Sequence, residues 1–447
     1  MKPQAEESYW DRAARFFRGT GRAGSAGSYF IHTKNRRTVK IGLGPQVTVA
    51  VTGDRIERRV DGRVVKVPES SPGPALKSVE RLLRDDAPCF FLVSPDVVRR
   101  AADPALPQIL VVQPSLEFSF SPERSEGEVS YARDAATAQH GRWLLDTVPA
   151  APHGARTSDR DDVPSFAELI EGWTADEDDE SFSHRLRDAI QLLRGHDDGK
   201  LTLTRGYDRR VSAGRDPYHL YELHAWGNGE YACSHFACLR EGTFSLGVTP
   251  ENVFEVDDRL LTVDVVAATC KSSDNPEEVA RELSANPKQV KEHRSSLGNR
   301  QNRFRAFCEE ASLEIVQEMQ VKQLRNVFHL HSVFTGTLRP AVTVFDLMAD
   351  IFPLLGARPQ ELRRVADPER TPHRYYGGVV GHVHLGVGGA FLNIRNALLD
   401  GGVLQARVGV GVIAESDAHD ELLETRNKLS GLLEAVYRWD APGSTPG

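Results

Sequence analysis

The chain is poor in sulfur: five cysteines and three methionines among 447 residues. An odd cysteine count without zinc-like spacing excludes a tidy disulfide framework and argues for a reducing compartment. Cys233 and Cys238, with four residues between them in a strand-like stretch, read as packing residues rather than ligands. Long apolar runs are missing too. None approaches the roughly 18 residues a membrane helix needs, and MKPQAEESYWDRAARFF carries no apolar signal core. No membrane partner and a cytoplasmic location are therefore expected. Positive charge is not in excess: 55 Lys and Arg face 63 Asp and Glu, a net charge of -8, which argues against nucleic acid as a partner. No internal repeat is visible. What the chain does have is 40% hydrophobic residues, enough for a large core, and length enough for two or three domains.

The most informative stretch runs from Arg374 to Lys428. Tyr375-Tyr376-Gly377-Gly378 opens it, followed by an apolar strand over 379–383. Gly386 to Gly389 turn the chain into a second expected strand, 390–399, which carries Arg395. Asp400-Gly401-Gly402 is a hairpin signal, and 403–412 reads as a third strand thinned by Gly409 and Gly411. Ser416 or Asp417 can cap a helix bearing Glu421, Glu424 and Lys428. Spaced i, i+3 and i+7, these three share one helix face. A meander delivering Tyr376 and Arg395 beside two carboxylates and an ammonium suits a polyanion held partly through a divalent metal.

Upstream, an amphipathic helix is expected over Tyr9 to Arg18, strands from Gly27 to Val67, a helix over Ala75 to Arg84, and buried strands at CFFLV (89–93) and QILVVQ (108–113). Residues 121–163, rich in Ser, Pro, Asp, Arg and Gly, read as a mobile connection. The acidic run 176–180 (DEDDE) reads as a solvated face before a helix, Ser181 to Leu193. A strand follows in which Lys200 and Thr202 share a face. HLYELHAW (219–226) and YACSHFAC (231–238) read as paired strands around Asn228-Gly229, with His219, His224 and His235 packed rather than ligating. Asn286-Pro287 starts a helix on which Gln289 and Glu292 share a face.

Several of these segments, in this order, resemble the chorismate-binding enzymes, the family of anthranilate, aminodeoxychorismate, isochorismate and salicylate synthases. YYGGVVG, the Arg395 strand, VGVGVIAESD and the ExxETxNK helix carry the likeness, which covers about residues 195–437. Leu246 to Glu251 is a variant of the family's SPE motif, and Val327 to Leu338 resembles its His-Leu-x-Ser strand. The N-terminal part resembles salicylate synthases more loosely. The resemblance implies an α+β, anthranilate-synthase-like fold of two large packed antiparallel sheets with outer helices. It divides the chain into a β-rich N-terminal portion, 1–165, and a chorismate-binding catalytic portion, 166–440.

The same resemblance implies roles. Lys200 would activate water, Glu251 would protonate the leaving hydroxyl, and His329 would lie beneath the ring. Amine-transferring relatives typically carry another residue at the Lys200 position. Thr269, Tyr376, Arg395, Gly409, Gly411 and Lys428 would bind the substrate. Glu292 and Glu424 would hold Mg²⁺, a hard ion suited to oxygen ligands, with Gln289 and Glu421 on its waters. Gln289 stands where salicylate synthases have a glutamate. The chain also departs from the family at Ala268, at Cys270, and in a shortened 353–368 loop where Gln360 replaces a lysine. The implied reaction is Mg-dependent conversion of chorismate to isochorismate and then to salicylate plus pyruvate, in siderophore or secondary-metabolite biosynthesis. Isochorismate synthase, an ammonia-using synthase, and a repurposed or catalytically weak relative are the alternatives. A separate amidotransferase subunit stays open as a partner but is not favoured.

Overall fold

The computed structural model describes residues 8–67, 75–98, 106–148, 164–196, 199–228, 231–271, 276–324, 327–352, 354–362 and 372–441. The expected α+β architecture is present. Twenty strands among these residues form one hydrogen-bonded network, so the two expected sheets are continuous with each other. Every strand pairing is antiparallel; Tyr29–Thr33 lies against Cys233–Arg240, and Cys89–Val93 against Gly378–His384. Strands from both ends of the chain thus interleave. The long Thr38–Thr52 strand pairs with Tyr29–Thr33 over its first half and with Arg55–Val60 over its second.

Two large apolar clusters lie against this network. One gathers Phe17, Phe30, Phe118, Tyr218, Phe236 and Trp439 beneath the first and last helices. The other gathers Phe91, Phe254, Val263, Phe334, Leu347 and Met348. Each fully buried aromatic or branched side chain contributes about 1.5–3 kcal/mol, so these clusters, more than propensity, hold the helices in place.

Three local expectations fail. Residues 219–226 are not a strand but lie within a helix, Pro217–Asn228. Tyr218 to Ala225 are all buried, so no polar face marks the helical period. Its start is set by Pro217 and by Asp216 Oδ1, which accepts from the Tyr218 amide at 2.9 Å. The supposed connection 121–163 holds a strand, Arg124–Ala132, and a helix, Ala135–Thr147, capped by Asp134; 149–163 lie outside the described residues. The helix expected over 75–84 stops at Glu80.

The acidic run 176–180 is exposed in part and does more than meet solvent. Asp178 caps the Asp179–Leu193 helix, and Asp176, Asp178 and Glu180 are exposed, as a solvated face requires, yet the run is also ion-paired. Asp176 receives Arg407 at 3.0 Å and the Gly206 amide at 2.8 Å. Glu177 receives Arg185 at 2.6 Å, while Asp179 pairs with both Arg205 and Arg426. These contacts tie the helix to the Lys200–Arg210 strand, the Val403–Val412 strand and the last helix. By contrast, Cys233 and Cys238 are buried, as expected of packing residues.

Candidate active site

A cavity of ≈ 1130 Å³ opens where the Lys200–Arg210 and Val403–Val412 strands meet the Pro287–Arg305 and Ala418–Asp440 helices. The two strands pair antiparallel, with Gly411 opposite Thr202 and Gly409 opposite Thr204. Their lack of side chains has a specific use. A Cβ on Gly411 would stand 2.8 Å from Lys200 Cε, and one on Gly409 would stand 2.9 Å from the Tyr376 hydroxyl. The glycine-thinned strand therefore makes room for the Lys200 stem and the Tyr376 ring, quite apart from anything its amides do.

The last helix begins at Asp417, whose Oδ1 accepts from the amides of His419 (2.9 Å) and Asp420 (3.1 Å), a cap contributing about 1 kcal/mol. Leu422, Leu429, Leu433 and Val436 bury one face. Glu421, Glu424 and Lys428 on the other line the cavity, as their spacing requires. Lys428 Nζ lies 2.7 Å from Glu424 Oε1 and donates to the Gly409 carbonyl at 3.0 Å.

Arg395 is not inside a strand. The expected 390–399 strand is broken into Val387–Asn393 and Asn396–Asp400, which pair with different neighbours. Arg395 sits in the break with φ 50°, a left-handed conformation costly for a residue with a Cβ. Its carbonyl accepts from the Val248 amide at 3.1 Å and bonds His224 Nε2 at 2.9 Å. Asn228 Nδ2 lies 3.1 Å from the other ring nitrogen of His224. An amide donor there leaves Nε2 to carry the proton that the Arg395 carbonyl takes. His224 thus holds the backbone of a cavity residue in place. His235 bonds Ser245 at 3.0 Å, and burial pushes it down to about 3; His219 is lowered to about 4 by the same cause. Packed roles suit all three.

Tyr376 is buried, and burial raises its phenol well above the ordinary value, with Arg407 and Arg395 pulling the other way and Glu251 adding to the rise. A neutral hydroxyl is a donor, suited to a carboxylate. Glu251 lies between the Thr243–Thr249 and Asn252–Asp257 strands, where its carbonyl accepts from the Leu392 amide at 3.0 Å. Its carboxylate is engaged by Arg300, which also donates to the Asn252 carbonyl at 3.3 Å.

Of the residues singled out from sequence, Lys200, Glu251, Gln289, Tyr376, Arg395, Gly409, Gly411, Glu421, Glu424 and Lys428 line this one cavity. Glu292, Thr269 and His329 lie on elements with described backbones, Thr269 opposite His329 in the paired strands, but their side chains fall outside the described residues. So do those of Ala268, Cys270 and Gln360. Gln289 Oε1 is buried without a hydrogen-bond partner among the described residues. Sequence reasoning missed Arg300, Arg407 and Arg358, all cavity residues. Arg300 could have been found: Gln289, Ser296 and Arg300 follow the helical period on one face of the Pro287–Arg305 helix, and all three line the cavity.

The chain is similar to known proteins. Over 205 residues it is 31% identical to anthranilate synthase component 1 of Haloferax volcanii, covering 43% of this chain and 39% of that one. Over 316 residues it is 27% identical to the Streptomyces coelicolor protein of the same name, covering 69% and 58%. The chain thus spans between about two fifths and three fifths of the length of these relatives. Two solved structures share its fold. Anthranilate synthase component I of Streptococcus pneumoniae has a TM-score of 0.71 at 18% identity, covering 89% of this chain and 92% of that one. The menaquinone-specific isochorismate synthase of Escherichia coli has a TM-score of 0.70 at 17% identity, covering 97% and 92%. The family described as chorismate binding enzyme matches residues 28–434, and the chain belongs to that family.

Proposed function

We propose that the protein adds water to chorismate, giving isochorismate, and then eliminates pyruvate to leave salicylate. The observation that carries this reading is the convergence in one cavity of Lys200 and Glu251 with Tyr376, Arg395 and the Glu424–Lys428 face. Chorismate is a dianion with a ring hydroxyl as leaving group. Arg395 and Tyr376 supply donors for one carboxylate; Lys428 supplies a cation near the other. Lys200 takes a proton from water as its oxygen bonds to C2 of the ring. Glu251 gives a proton to the C4 hydroxyl, which leaves as water. In the second step the C3–O bond breaks, the C2 hydrogen passes to the enolpyruvyl methylene, and the aromatic ring forms while the C2 oxygen stays.

The donors present fit Mg²⁺. Glu421 and Glu424 provide carboxylates and Gln289 provides a buried amide oxygen, unpartnered among the described residues, a hard all-oxygen set. No group of three acidic, His or Cys side chains stands ready-made for a metal among the described residues. The full set would need Glu292, Glu424 and the substrate's own carboxylate, with Gln289 and Glu421 on bound waters. When present, the ion would neutralise the ring carboxylate.

A second reading, amine transfer from ammonia or from a separate amidotransferase subunit, is favoured by the names of the curated relatives. Incubation of the purified protein with chorismate and Mg²⁺, with and without ammonium or a chelator, followed by chromatography, separates the two. Salicylate or isochorismate, lost on chelation, is expected. An aminated product that needs ammonium would replace this reading with the second.

A further inference from the structure

Arg300 is the cavity residue whose contact fits least well with a proton-donating Glu251. It reaches from the Pro287–Arg305 helix to Glu251 Oε1 and steadies itself on the Asn252 carbonyl, and both side chains of the pair are 22% exposed at the cavity wall. A guanidinium engages a carboxylate, whereas a general acid must be in its protonated form. Among the described residues Arg300 pairs with no carboxylate other than Glu251, in a cavity suited to a dianion. The other α-helical arginine on this wall, Arg303, is tied to the Ile351 carbonyl, and Arg358 is tied to Ser295 Oγ at 2.8 Å. Neither contact involves an acid that the reaction uses.

We propose that Arg300 is a charge latch: it pairs with Glu251 when the cavity holds no ligand and turns to a carboxylate of the ring acid when one enters. The exchange releases Glu251 to take a proton from solvent and pass it to the departing hydroxyl. It also makes the general acid available only when an anionic ligand is in place. Arg300 is then a substrate-binding residue in the occupied state and a positioning residue for Glu251 in the free state. This proposal rests on the reading of the cavity as a chorismate site.

The test is calorimetric titration of chorismate in a Lys200→Ala background, so that turnover does not consume the ligand. Arg300→Gln should weaken binding about tenfold or more, the loss of a charge-assisted hydrogen bond. Arg300→Lys, which keeps the charge but not the two-pronged donor, should fall between. Glu251→Gln should tighten binding severalfold, because Arg300 no longer has a competing partner, and that gain should vanish when Arg300→Gln is added. Equal affinity in the Arg300 variants overturns the latch. A gain from Glu251→Gln that persists without Arg300 also overturns it, since simple removal of a repelling charge would then suffice. If the Lys200→Ala parent binds no chorismate at all, the functional reading itself fails and the latch falls with it. Thermal melting of each variant verifies that it is folded, and should Arg300→Gln fail to fold, Arg300→Lys decides.

Discussion

Two clusters of titratable side chains in this protein look alike in composition and differ in completeness. The first surrounds Glu117, which is fully buried. Its oxygens accept from the Tyr29 hydroxyl at 2.6 Å and the Ser130 hydroxyl at 2.9 Å, with His382 Nε2 at 2.6 Å and Lys40 Nζ at 4.0 Å. Burial alone would raise the carboxyl, but His382, Lys40 and Tyr29 overcome it and hold Glu117 down at about 2. The second cluster is the cavity set of Lys200, Glu251, Glu424 and Lys428. There Glu424 is 39% and Lys428 35% exposed, and the charges face open volume. In the first cluster the acceptors are consumed by the protein itself, so it stabilises the fold. The second leaves capacity for a ligand. The same residue types serve stability when closed and chemistry when open.

By that contrast, damage to the open cluster should cost activity and leave stability alone. Lys200→Ala should lower turnover of chorismate by about a thousandfold, with the melting temperature close to that of the parent. Steady-state kinetics and calorimetry on one preparation measure both, and an active variant would remove Lys200 from the role of base.

A subtler change sharpens the same point without touching a charge. Gly411→Ala places a methyl 2.8 Å from Lys200 Cε, and the lysine stem must give way. Turnover should fall about a hundredfold, since small misplacements of a reacting group are that costly, while chorismate affinity changes little. Unchanged turnover would show that the strand can thin or shift to accept the methyl.

The closed cluster should instead reveal itself in acid. Glu117 is held at about 2 against an ordinary 4.5, so its contribution is present above pH 4.5 and is lost as pH falls toward 2. His32 and His235 are lowered by burial to about 3 from an ordinary 6.5; their neutral forms favour the fold above pH 6.5, and that support is lost as pH falls toward 3. Stability should therefore begin to decline just below pH 6.5 and fall more steeply below 4.5, by a few kcal/mol per group in order of magnitude. Thermal melts across this range measure it, and Glu117→Gln should blunt the steeper part. A flat profile down to pH 4 would contradict the closed-cluster account.

The cavity was more legible in the sequence than the packing around it. Glu421, Glu424 and Lys428 could be placed on one face because helical spacing is a local property, and Asp417 marked where that face begins. The two strand glycines stood out in their own strand's pattern, whereas Lys200 was singled out by the resemblance of its segment to the family's. Arg395 was read in a continuous strand, yet the chain breaks there. What turns it is the pairing of its two flanks with different strands, a non-local fact. Nor did anything local to 176–180 announce arginines at 205, 407 and 426 as its partners. The Pro217–Asn228 helix failed in the opposite way, its aromatic-rich sequence resembling a strand because every face is buried. Patterns report an element's own periodicity; they do not report which distant element will cover it.

The most direct test of the central claim, that the open cluster delivers water to the ring, is to run the reaction with chorismate in heavy-oxygen water and weigh the product. Lys200 and Glu251 acting as described predict one heavy oxygen in the ring hydroxyl of isochorismate or salicylate, whether or not ammonium is present. A product without heavy oxygen, or one that carries nitrogen from labelled ammonium, would contradict it.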